Sequence, residues 1–123
     1  MTVKTCQPSY QVKIFKVEID RTVNCQTKNL IYCVGCKKCS QQYIGETERT
    51  LQDRFSDHIG YVKNKKLQKA TGEHFNQKGH SLSDMTISIV EKLHSTSGQF
   101  RKQRERMYIN KFNTKYKGLN KKI

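Results

Sequence analysis

The sequence predicts a small domain of the α/β class, more narrowly α+β, and three observations carry that prediction. An apolar run over residues 30–34 and the segment Gln42-Tyr43-Ile44-Gly45 flank the turn-forming stretch Gly35-Cys36-Lys37-Lys38-Cys39, which reads as a hairpin. Met85, Ile87 and Ile89 alternate with polar neighbours as a further strand. Leu51, Phe55 and Val62 share one helical stripe, while Glu105, Ile109 and Phe112 recur at i, i+4 and i+7 on another. At 123 residues, 34% of them hydrophobic, the chain has material for one modest core.

In chain order, residues 1–28 form a lead-in that holds the only proline, Pro8, and an alternating run at Val12, Ile14, Phe15, Val17 and Ile19. That run reads as one strand with a bulge or slip. The domain proper occupies residues 29–123. After the hairpin, Thr50 and Asp53 have the spacing of a capping box, so a helix starts at Thr47 or Thr50. Arg54 and His58 lie four apart on it, to one side of the apolar stripe. Residues 63–73 are rich in Lys, Asn and Gly and read as a loop, ending in a short helical turn at Glu73-His74-Phe75. Gly98 closes the loop after the third strand, and a last helix spans residues 99–113.

Twenty-four Lys and Arg against ten Asp and Glu leave a formal charge of +14, spread from Lys4 to Lys122. Such a chain favours a polyanion, nucleic acid first, through release of counterions; the alternative is a merely soluble basic surface. No run of ~18 apolar residues is present, and Lys4, Gln7 and Gln11 interrupt the N-terminus, so the expectation is an intracellular protein with no membrane span. Five cysteines, an odd number, favour metal ligation over a secreted disulfide framework.

Cys36 and Cys39 form a Cys-x2-Cys knuckle, and His74 and His80 are separated by five residues including Gly79. Two thiolates and two imidazoles complete a tetrahedron around zinc and leave no place for water, so the ion would be structural. Cys33 stands three before Cys36 and competes, but within an apolar run it reads as a buried strand thiol. The alternative for the histidines is a surface pair in a turn.

A second set is Tyr32, Tyr43, Arg54, His58, Glu105 and Asn120. Glu105 shares a stripe with apolar residues, where a carboxylate needs a partner. It can anchor Mg2+ or Mn2+ against a phosphate, or pair with Arg101 at i−4; spacing alone leaves both open. Phosphodiester cleavage needs an activated water, stabilised phosphorane oxygens and help for the leaving group. Arg54 offers a forked donor, and His58 or a tyrosine can move protons. Each tyrosine alone reads equally as a strand aromatic in a core.

The series Leu30-Ile31-Tyr32, Tyr43-Ile44-Gly45, Arg54 with His58, Arg104-Glu105-Arg106 and Gly118-Leu119-Asn120 resembles the GIY-YIG nuclease superfamily across residues 29–120. The first motif keeps its tyrosine and carries Leu30 where the family opens with glycine. The Cys-x2-Cys between the tyrosine motifs, with the later histidines, is similar to the subgroup of Penelope-like retroelements, whose paired cysteines and histidines are read as a zinc set. The resemblance implies a small three-stranded antiparallel sheet flanked by helices, with an inserted Cys2His2 zinc site. It further implies that Glu105 holds the divalent metal, Tyr32 activates or orients water, Tyr43 and Arg54 contact the phosphate, His58 assists proton transfer and Asn120 braces the site. The function implied is a metal-dependent DNA endonuclease that nicks its target to prime retroelement insertion, with a reverse transcriptase domain in the same polypeptide and the nucleus as its site of action. Breaking both strands with one site per chain would take a homodimer or two encounters. The competing reading is a non-catalytic zinc-containing module that binds DNA or RNA by charge.

Overall fold

A nine-residue strand that is apolar on both sides must be covered on both sides. Lys28–Cys36 is such a strand (β2), preceded in the chain by a short strand at Val12–Ile14 (β1) and followed by Gln42–Thr50 (β3). The computed structural model describes residues 25–120 and the backbone of β1. Met85–Lys92 is β4, and the helices are Leu51–Lys63 (α1), Ala70–His74 (α2), Gly98–Phe112 (α3) and Thr114–Lys117 (α4), with a 3-10 turn at Leu82–Asp84.

The sheet order is β1-β4-β2-β3. β2 pairs antiparallel with β3 and with β4, which is the three-stranded antiparallel sheet expected. β1 adds a short edge parallel to β4, with Val12 opposite Ile87 and Ile14 opposite Ile89. The predicted lead-in strand thus exists at Val12–Ile14, and its continuation through Phe15, Val17 and Ile19 lies outside the described residues.

Strand alternation assigns the two faces. Leu30, Tyr32, Val34 and Cys36 join Leu51, Phe55, Ile59 and Val62 of α1 in one apolar cluster, with Met85, Ile87 and Ile89 of β4. Ile31 and Cys33 point the other way, to Tyr108 and Ile109 of α3. The register of β4 slips at Val90, so that Tyr32 faces Ile89 and Ile31 faces Glu91. This bulge lets Val90 pack with Ile31 while Glu91 accepts from Tyr108 Oη at 2.9 Å and Arg104 Nη2 at 2.6 Å.

α1 begins where Thr50 Oγ1 accepts from the Asp53 amide at 3.0 Å, so Thr50 rather than Thr47 is the cap, and Thr47 lies inside β3. The segment expected as loop to residue 73 instead turns helical at Ala70. Tertiary contact overrides composition there. Asn76 Nδ2 donates to the carbonyls of Gly72 at 2.7 Å and Val62 at 3.0 Å, tying α2 to the end of α1. α3 docks through a polar anchor as well as through Tyr108 and Ile109: the buried Arg101 donates to Glu46 Oε1 at 2.9 Å and to Asn29 Oδ1 at 3.1 Å.

Candidate active site and metal centre

Tyr32 sits mid-strand in β2 directly opposite Gly45 of β3. A Cβ on Gly45 would lie 2.3 Å from the Tyr32 ring carbon and hydroxyl, so the glycine provides the space in which the phenol lies. Beneath it, α1 presents Arg54 and His58 on adjacent turns. Arg54 Nε donates to Tyr32 Oη at 2.9 Å, and the same hydroxyl lies 2.8 Å from His58 Nε2, to which it can give its own proton. His58 Nδ1 is 2.8 Å from Thr71 Oγ1, so both ring nitrogens are hydrogen-bonded, and in the tautomer whose Nε2 accepts from Tyr32, Nδ1–H donates to Thr71. Arg54 Nη1 also donates to Asp57 Oδ2 at 3.2 Å and Tyr61 Oη at 3.4 Å.

Burial, with the nearby Tyr43, holds the Tyr32 phenol well above its usual range despite Arg54. Burial also raises Tyr43, against the pull of Arg54. Burial, Arg54 and Lys69 push His58 down to about 3, so the ring is neutral at neutral pH. Tyr32 is fully buried, whereas His58, though only 2% exposed, lines a cavity of about 170 Å³ together with Tyr43, Arg54, Tyr61, Gln68, Lys69 and Thr71. That lining contains two cations and two phenols and no carboxylate.

Glu105 on α3 is half-buried, and burial together with the charge of Glu46 raises its carboxyl against Lys102, the Glu46 amide and Arg54. The pairing with Arg101 that spacing allowed does not form. Arg101 and Lys102 both pair with Glu46, at 2.9 and 3.0 Å. A half-buried carboxylate whose neighbouring cations are committed elsewhere fits a divalent ion of hard character. Asn120, fully buried, stands apart from the chemistry: its Oδ1 accepts from the Ile44 amide at 2.7 Å and its Nδ2 donates to the Ile44 carbonyl at 2.8 Å. It imitates a strand partner along β3 and closes the C-terminal turn on the strand that carries Tyr43 and Gly45.

Thr71, Tyr61 and Lys69 were not singled out from the sequence. Tyr61 had a signal, because Arg54, His58 and Tyr61 recur at i, i+4 and i+7. Thr71 and Lys69 had none beyond a lysine-rich stretch.

The second set also assembles. The ligand atoms of Cys36, Cys39, His74 and His80 all lie within 4.8 Å of one another, and Cys39 Sγ is already 3.4 Å from His74 Nε2. A zinc tetrahedron with these donors has edges of about 3.3–3.8 Å, so small movements close it. Both ring nitrogens of His80 are buried without a hydrogen-bond partner, an arrangement that a bound cation would satisfy. The donor chemistry therefore fits a metal, and two sulfurs with two imidazoles fit zinc. Cys33 is excluded from this set by its position. It lies on the other face of β2, where burial pushes its thiol up to about 12.

Among solved structures, the catalytic domain of the homing endonuclease I-TevI shares this fold with a TM-score of 0.61 at 19% identity, covering 75% of this chain and 96% of that one. No curated protein matches the sequence. The motifs gathered around the cavity fall within a match over residues 28–120 to the family described as the GIY-YIG catalytic domain, and this chain belongs to that family of nucleases.

Proposed function

We propose that the domain is a divalent-metal-dependent endonuclease hydrolysing phosphodiester bonds in DNA. The observation that carries this reading is the cavity itself: Tyr43, Arg54, Tyr61 and Lys69 open on it, backed by the chain from Arg54 through Tyr32 and His58 to Thr71. A phosphate is the ligand such a lining favours, because Arg54 can fork onto two oxygens and the phenols donate to others. Glu105 would hold Mg2+ or Mn2+, which when bound supplies positive charge to the phosphorane and leaving oxygens.

Tyr43 and Arg54 then orient the scissile phosphate. Tyr32 would activate the attacking water by taking its proton as its own passes to His58 Nε2, once substrate binding opens the buried hydroxyl to the site. A phosphate against Arg54 and Lys69 offsets the two charges that, after burial, hold His58 down, so accepting a proton costs less once substrate is in place. Asn120 keeps β3 in register. The Cys36, Cys39, His74 and His80 centre would take structural zinc. The combination of this zinc set with the tyrosine motifs supports a nick that primes retroelement insertion in the nucleus, with a reverse transcriptase domain in the same polypeptide.

Incubation of zinc-loaded protein with supercoiled plasmid tests the reading. Nicked circles should form when Mg2+ or Mn2+ is supplied and not when it is omitted. Retention of plasmid without any strand break would instead identify a non-catalytic nucleic-acid-binding module.

A further inference from the structure

The metal centre and the catalytic chain meet in one short element. α2 has five residues, too few to be stable alone, and it carries Thr71 and His74 one helical turn apart. Thr71 is 1% exposed and bonded to His58; His74 is 5% exposed, next to Cys39 and edge-on to His80 with ring centroids 4.5 Å apart. Gly72 between them has no room for a side chain: a Cβ would lie 2.2 Å from the Lys66 carbonyl oxygen and 3.0 Å from that of Tyr61. One edge of α2 is therefore pressed against the end of α1. Its His74 end meets the β2–β3 turn at the cluster where the nitrogens of His80 lack partners.

We propose that Thr71 is a positioning residue that fixes the ring and tautomer of His58, and that metal bound by Cys36, Cys39, His74 and His80 holds Thr71 there. The logic runs through one proton. Arg54 Nε occupies one lone pair of Tyr32 Oη; with the phenol proton given to His58 Nε2, Nδ1 carries the hydrogen and Thr71 Oγ1 is its acceptor. Loss of that acceptor leaves a buried N–H unpaired and removes the preference for the tautomer whose Nε2 receives the Tyr32 proton. Loss of the metal frees the His74 end of α2 and moves Thr71 off the ring. Metal occupancy then governs catalysis at a site that contains none of the metal's ligands. The kinetic part of this inference rests on the nuclease reading; the structural part does not.

The test uses the whole chain reconstituted with Zn2+ and labelled with 15N-histidine, read by long-range proton–nitrogen correlation. His58 should show the Nδ1–H tautomer in the parent and in Thr71→Ser, and lose it in Thr71→Val and in the zinc-stripped chain. Single-turnover cleavage should fall about 10- to 100-fold in Thr71→Val, the range typical of groups that orient a functional histidine, and recover in Thr71→Ser. Zinc content and DNA affinity should be unchanged in both variants. Should stripping unfold the chain by circular dichroism, His74→Ala, which detaches α2 from the metal and leaves Cys36, Cys39 and His80 as ligands, replaces it. Thr71→Val that keeps both tautomer and rate, or a folded metal-free chain with an unaltered His58 spectrum, overturns the proposal. A parent that cuts no DNA would remove the nuclease reading, and the histidine spectra alone would then decide the positioning claim.

Discussion

Gly45 and Tyr32 illustrate how a single missing side chain makes a site. Alanine at 45 would bring a methyl to 2.3 Å from the phenol, so the ring must leave its place between Arg54 and His58. Gly45→Ala should therefore lower the single-turnover rate at unchanged zinc content, and overpacking should cost about 1–3 kcal/mol in urea unfolding. His58 adds a pH signature. Its ordinary value is 6.5 and its folded value about 3, so the unfolded chain takes up a proton first as pH falls. The contribution is present above 6.5 and is lost as pH drops towards 3. Acid would also protonate the proposed zinc ligands, so the comparison is between parent and His58→Gln, both prepared with Zn2+: the stability advantage of the parent should shrink across that window. An advantage independent of pH there would contradict a neutral, desolvated His58.

Among the elements, those whose cues are local were legible from the sequence. The Thr50 cap, the β2–β3 hairpin and the alternation of Met85, Ile87 and Ile89 all depend on residues within a few positions of one another. α2 was not legible from Ala70, because its support comes from Asn76 and from the close packing of Gly72 on α1. The parallel pairing of β1 with β4 joins residues some 75 positions apart, and no local pattern specifies it. The same division runs through the site. Ligand spacing exposed Cys36, Cys39, His74 and His80, and motif order exposed Tyr32 and Arg54, whereas Thr71 and the Glu46–Arg101 pair depend on the fold. Asn120 was expected to brace the site, and the bonds it makes are those of a missing strand on Ile44. Asn120→Ala leaves a buried amide and carbonyl unpaired, each costing about 1–3 kcal/mol, which chemical denaturation would register as a clear loss of stability. A stability equal to the parent's would mean that water replaces both bonds.

For the molecule as a whole, charge and metal divide the work. A formal +14 draws a polyanion from a distance, and Lys69 lines the cavity while the exposed Lys63, Lys65 and Lys66 stand a few residues before it in the chain. Replacing Lys63, Lys65 and Lys66 by Gln should weaken DNA binding and flatten the plot of log K against log salt by about 0.9 for each phosphate that is no longer neutralised. An unchanged slope would place the bound backbone elsewhere. The proposed chemistry lies in that cavity and at Glu105 of α3, whose charge is felt at Tyr32, Tyr43 and Arg54 and which makes no ion pair with Arg101. The most direct test of the account is single-turnover nicking of an end-labelled duplex in Mg2+ by the parent and by Glu105→Ala, each first shown to be folded and zinc-loaded. The account predicts that the parent nicks and that Glu105→Ala binds the duplex but leaves it intact. Nicking by the folded variant at the parent's rate would mean that the catalytic metal is held elsewhere, and would contradict the assignment.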